Sequence, residues 1–166
     1  SFINSICHAF GSGICSENTG VLFQNRGVNF RLEEGHPNCI DSNKRPLHTI
    51  IPGLLTNQND EAIMSYGVMG GQYQPIGQSH LLQNIYEFGM SLQEAIDAKR
   101  AFALNGKLKI ENSFSATCIE DLSKIGHNIE IIRDSIGGGQ GIMIDRKEGI
   151  LIGGSDSRKD GLAIGY

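Results

Sequence analysis

The chain has no tryptophan, only 4 prolines and only 4 cysteines among its 166 residues. The cysteines stand at positions 7, 15, 39 and 118, with no Cys-x-x-Cys pair and no zinc spacing. His8, His36, His48, His80 and His127 are equally scattered, so no metal site is expected. A chain of this length buries roughly 70% of the surface its unfolded form exposes, and it needs no disulfide to fold. Free thiols in a reducing compartment, cytoplasmic rather than periplasmic, are the expectation. No run of Lys or Arg forms a patch, and the net charge is −4, which argues against a nucleic-acid partner. No apolar stretch approaches the ~20 residues of a membrane span. The opening "SFINSICHAF" lacks the charged start and apolar core of a signal peptide.

What is plentiful is glycine, 22 residues. With so few prolines, this suggests tight turns and close backbone approaches rather than disorder. "TGVLFQN" reads as a short strand. "HTIIPGLL" and "EAIMSYGVMGG" read as a strand pair joined by the polar "TNQND". From Pro75 the apolar period lengthens. Leu81, Leu82, Ile85 and Phe88 fall at helical spacing, with Gly89 as a stop. A second helix begins at Ser91 with Glu94 in a capping box, and a third is expected over "SATCIEDLSKIGH" with Thr117 and Glu120 as a second box. "NIEIIRD", "GQGIMIDRKEG" and "ILIGGSD" read as antiparallel strands. "GGGQG" at 137–141 is followed by no helix, so it reads as a strand-entry turn and not a phosphate loop. Strands, then helices, then strands again point to an α+β domain occupying residues 1–166.

Several stretches in succession resemble the small, C-terminal subunit of the gamma-glutamyltranspeptidase family: "FGSG" (10–13), "TGVLFQNRG" (19–27), "NKRPLHTIIP" (43–52), "GVMGG" (67–71), "GMSLQEAIDAKR" (89–100), "KIGH" (124–127) and "GGSDSRKDG" (153–161). "NRG", "HPN", "RPLHT" and "MGG" are closer to a divergent branch that includes transferase-related proteins and oxamate amidohydrolases. The resemblance implies an N-terminal-nucleophile (Ntn) hydrolase, a four-layer αββα sandwich made by a precursor that cuts itself in two. The cut exposes a threonine whose hydroxyl attacks an amide and whose own α-amine is the base. That threonine is expected upstream of this chain, and "SFINSICHAF" is expected to be the second strand of the family's opening hairpin. Ser1 as nucleophile is a lesser reading, since every later motif would then sit at the wrong distance.

The same resemblance supplies candidate site residues. Gly70 and Gly71 match the paired glycines whose N–H groups form the oxyanion hole, where any side chain would block the approaching oxygen. His48 and Thr49 stand where the family has two serines that hold the substrate's α-carboxylate. Both side chains can donate hydrogen bonds. Arg26 and Asn29 stand where the substrate's amino-acid end is held. The family commonly has an acid at Asn29 to pair with the α-ammonium, and Asn carries no charge. Arg26 instead adds a cation suited to a carboxylate. Ser5 and Cys7 match strand positions lining the same pocket. Asp156, Arg158 and Asp160 read as a loop-locking network.

The reading that follows is an amidohydrolase or acyltransferase acting on a small carboxylate-bearing amide through a covalent acyl-enzyme, with no cofactor. Its partner is the large subunit of the same precursor, with a dimer of heterodimers open to it. A true gamma-glutamyl transferase acting on glutathione-like substrates and a non-catalytic binding homologue are the alternatives.

Overall fold

The computed structural model describes residues 3–166. Ser1, the lesser candidate nucleophile, lies outside them. The chain divides into two compact units, residues 3–50 and residues 51–166.

The larger unit is built on an antiparallel sheet of order β1-β2-β6-β7, with β1 at Gly53–Thr56, β2 at Ala62–Met69, β6 at Gly138–Asp145 and β7 at Ile150–Ser155. Along β2 the side chains alternate as a pleated strand demands. Met64, Tyr66 and Val68 are buried while Ser65 and Gly67 are half-buried and Met69 is exposed. Helices α1 (Gln74–Tyr86) and α2 (Leu92–Asp97) cover that buried face, and Leu81, Ile85, Leu92 and Ile96 join the three strand residues in one core. The opposite face carries no helix among the described residues, and Leu54, Ile142 and Leu151 on it are 65%, 49% and 67% exposed.

The glycines of β6 and β7 form the floor on which α2 lies. A Cβ at Gly154 would stand 2.8 Å from Ile96 Cδ1 and 2.9 Å from Leu92 Cγ, and one at Gly141 would stand 3.0 Å from Leu92 Cδ1. The "GGGQG" run is therefore mostly strand: Gly137 makes the turn into β6, at φ 63°, Gly138 lies against the Lys159 side chain, and Gly139 and Gly141 face α2.

A second sheet of order β3-β4-β5 joins Ala101–Leu104, Lys107–Glu111 and Ile129–Ile132. The β3–β4 hairpin turns on Asn105-Gly106, both in the left-handed region at φ 52° and 74°. This Asn-Gly pair between apolar residues is a strong hairpin signal, and it adds a hairpin to the elements expected from sequence. "NIEIIRD" forms β5 and runs parallel to β4, not antiparallel. The reason is the connection: α3 (Ala116–Lys124) intervenes, and a helical crossover returns the chain in the same direction. The cap of α3 is also corrected. Ser115, not Thr117, accepts from the Cys118 N–H at 3.3 Å. The α2 capping box forms as read, Ser91 N–H donating to Glu94 Oε2 at 2.8 Å.

Residues 3–50 contain no regular strand. "TGVLFQN" contributes a single bridge, Cys15 with Leu22, and the described part of "SFINSICHAF" is coil and turn instead of a hairpin strand. Polar side chains shape this unit. Asn25 Oδ1 accepts from the His8 N–H at 3.1 Å, and its amide nitrogen lies 3.0 Å from His8 Nδ1.

Candidate active site

In the smaller unit, a single 3-10 turn, Arg26–Asn29, sets out two of the candidate residues. The Arg26 guanidinium is half-buried and is oriented by its neighbours. Nε donates to Thr49 Oγ1 at 2.9 Å, and Nη2 donates to the Ser5 carbonyl at 3.0 Å and to Ser5 Oγ at 3.2 Å. Nη1 donates to no acceptor among the described residues. Three predicted residues from well-separated stretches of sequence thus meet around one cation. Asn29 is half-buried, and its amide approaches Cys7 Sγ at 3.8 Å. Cys7 itself is in the left-handed region, at φ 79°, with its N–H donated to Ser5 Oγ at 3.3 Å. A cysteine there costs about 1–2 kcal/mol in backbone strain.

His48 does not join this group. It is exposed and makes no hydrogen bond or ion pair among the described residues. Nor does it stand on a strand: β1 begins only at Gly53, after Pro52, which has no N–H for a sheet. Thr49 is half-buried and accepts from Arg26, so its first service is to orient the guanidinium.

In the larger unit, Gly70 and Gly71 stand between β2 and α1. Gly70 has φ 132° and Gly71 has φ 59°, both hostile to side chains. A 3-10 turn begins at Gly71 and runs straight into α1. Gly70 and Gly71 precede its first hydrogen bond, so neither N–H has an acceptor within the helix. The helix dipole adds partial positive charge at this end. A Cβ at Gly71 would meet nothing within 4 Å, whereas one at Gly70 would lie 2.9 Å from Gly137 Cα and 3.3 Å from Tyr73 Cβ. One member of the doublet faces open space and the other is wedged from behind. Two adjacent N–H donors so placed can stabilise an oxygen that gains negative charge.

Behind the doublet lies a buried ionic network. Arg100 Nη2 meets Asp156 Oδ2 at 2.6 Å, with side chains 5% and 0% exposed, and Arg158 Nε meets Glu111 Oε1 at 2.7 Å. Asp156 also accepts the Gly139 N–H at 2.6 Å, which pins the start of β6. Burial alone would raise the Asp156 carboxyl pKa; the Gly139 and Arg158 amides and the Arg100 guanidinium outweigh it and hold the pKa below the ordinary value. Glu111 is held down in the same way, burial opposing it and Arg158 and the Arg100 amide prevailing. The structure therefore places Asp156 and Arg158 in this network; Asp160 is exposed and makes no contact in it. From sequence, Tyr73 carries no assigned role and Gly137 only that of a strand-entry turn, yet both pack against Gly70. A large aromatic two residues after a glycine pair was the available signal.

The gamma-glutamyltranspeptidase model matches residues 1–166. The chain belongs to the gamma-glutamyltranspeptidase family. It is 37% identical over 174 residues to the oxamate amidohydrolase proenzyme of Klebsiella pneumoniae subsp. pneumoniae, covering 100% of this chain and 33% of that protein. Among solved structures, a cephalosporin acylase from Bacillus halodurans superposes with a TM-score of 0.87 at 39% identity, over 98% of this chain and 31% of that one. The gamma-glutamyltranspeptidase of Pseudomonas nitroreducens, complexed with L-DON, superposes with a TM-score of 0.85 at 21% identity, over 99% and 92%; this second likeness speaks to the α+β fold of the family's small-subunit portion alone. The chain spans about a third of the length of the curated relatives it matches.

Proposed function

We propose that the protein to which this chain belongs is an N-terminal-nucleophile amidohydrolase or acyltransferase, and that it cleaves an amide of a small, carboxylate-bearing substrate. A threonine outside residues 1–166 supplies the nucleophile. Its hydroxyl oxygen bonds to the amide carbon while its proton passes to its own α-amine. Gly70 and Gly71 donate to the oxyanion. Collapse breaks the C–N bond, and the leaving amine carries off the proton. Water then adds to the ester, releasing the acid and restoring the hydroxyl. An amine in place of water gives transfer.

The observation that carries the substrate class is Arg26, half-buried and oriented by Thr49 and Ser5, with Nη1 donating to no acceptor among the described residues. A guanidinium held this way suits a carboxylate. Asn29, facing Cys7 Sγ, supplies no negative charge for an α-ammonium. A large subunit of the same precursor is the proposed partner. This is supported by relatives that are proenzymes three times as long as this chain and by the helix-free apolar face of the antiparallel sheet.

The test is steady-state kinetics of the complete protein on oxamate-type amides, their uncharged analogues and a γ-glutamyl anilide. In Arg26→Ala, kcat/KM for the carboxylate-bearing amide should fall roughly 10–100-fold, the worth of a charge-assisted hydrogen bond, with little change for the uncharged analogue. Equal losses on both would refute the role of Arg26. Preferential turnover of the γ-glutamyl anilide would make the protein a glutamyl transferase instead.

A further inference from the structure

We infer that Tyr73 is a positioning residue, the wedge that sets the direction of the Gly70 and Gly71 N–H groups. The inference rests on the reading of that doublet as an oxyanion hole, and it goes beyond it by assigning a residue that does not touch the substrate.

Tyr73 is 2% exposed, and its side chain is the meeting point of three glycines from three segments. A Cβ added at Gly70 would stand 3.3 Å from Tyr73 Cβ, one at Gly77 in α1 would stand 2.6 Å from Tyr73 Cε1, and one at Gly137, at the entry to β6, would stand 2.7 Å from Tyr73 Cδ1. At Gly77 and Gly137 the ring takes part of the space a side chain would need, beside Val68 Cγ1 and the Met69 carbonyl oxygen, and at Gly70 the Tyr73 Cβ does so beside Gly137 Cα. The backbone closes the same knot: the Tyr73 N–H donates to the Gly70 carbonyl at 3.1 Å, which fixes the plane of the Gly70–Gly71 peptide and hence the direction of the Gly71 N–H.

The ring is held in turn. Phe102 meets it edge-on, with centroids 5.5 Å apart and planes at 75°, and the Arg100 guanidinium carbon lies 6.0 Å from its centroid. Arg100 is locked to Asp156, which also grips the Gly139 amide. Tyr73 thus ties the doublet to the buried Arg100–Asp156 pair. The phenol oxygen makes no hydrogen bond among the described residues, so the ring and not the hydroxyl performs the task.

Two measurements on the complete protein test this. The first is amide hydrogen exchange, read at the residue-73 N–H that donates to the Gly70 carbonyl. In Tyr73→Leu, exchange there should rise about tenfold while β6 and α2 keep their protection; in Tyr73→Phe it should stay within about twofold of the parent. The second is kinetics. Tyr73→Leu should lower kcat by roughly 10–100-fold with KM within about threefold, because a misaimed oxyanion donor weakens the transition state rather than substrate binding. Tyr73→Phe should retain kcat. Gly137→Ala is the second variant should Tyr73→Leu not fold. Its Cβ would press on the Met69 carbonyl oxygen and fall 2.7 Å from Tyr73 Cδ1, displacing the ring and the strand end before the doublet together, and should give the same kcat-selective loss. An unchanged exchange rate, a Phe variant as impaired as Leu, or a loss confined to KM overturns the inference. Raised exchange with normal kcat also overturns it, and locates the failure in the oxyanion reading of the doublet. A parent protein that turns over none of the carboxylate amides defeats the proposed function, while hydrogen exchange still decides whether Tyr73 is the wedge.

Discussion

A single carboxylate, Asp156, illustrates how much one residue decides. It is fully buried and serves two guanidiniums and two backbone amides. Asp156→Asn keeps the shape but leaves Arg100 and Arg158 undercompensated in a dry site. The cost should be about 3–5 kcal/mol, read as a lowered midpoint in chemical unfolding. Protonation reaches the same end. Because the Asp156 and Glu111 carboxyls titrate lower in the folded chain than in the unfolded one, their contribution is complete above the ordinary carboxylate range. It is lost as pH falls through about 4 and below. A melting temperature that is level near neutrality and drops steeply under pH 4 should therefore flatten in its acid limb in Asp156→Asn. At this scale the candidate site was partly legible. Arg26, Thr49 and Ser5 were named from sequence and do meet. The exposure of His48 was not legible, because nothing local distinguishes a histidine that faces solvent from one turned inward.

Elements obey local chemistry where the signal is local. The Ser91–Glu94 box and the stop at Gly89 could be read because each depends on residues within one turn. Replacing Ser91 with Ala should cost about 1 kcal/mol, and thermal unfolding will report it. Gly106→Ala tests the overlooked hairpin. Its φ of 74° with open space around it makes the penalty purely conformational, about 1–2 kcal/mol, again measured by unfolding. What could not be read was pairing at a distance. β5 carries the alternation of any half-buried strand, and only its neighbour β4, reached across α3, decides that it runs parallel. Residues 3–50 were misread for a related reason. Their apolar residues suggest strands, yet the backbone hydrogen bonds close turns and two isolated bridges.

At the scale of the molecule, the antiparallel sheet carries helices on one side and exposes Leu54, Ile142 and Leu151 on the other. Under the proposal that a large subunit of the same precursor covers this face, Ile142→Asp should weaken that association by about 2 kcal/mol or more, roughly 30-fold in the association constant by analytical ultracentrifugation. It should leave the smaller unit's Arg26 cluster intact.

The C-terminal carbonyls of α2 have a consequence in time. Ile96, Asp97 and Ala98 all give their oxygens to Arg158, a residue 60–62 positions later. A helix of 6 residues cannot persist on its own. On the ribosome, this segment therefore lacks those partners until Arg158 has emerged and looped back, and its full ordering follows its own synthesis by some 60 residues.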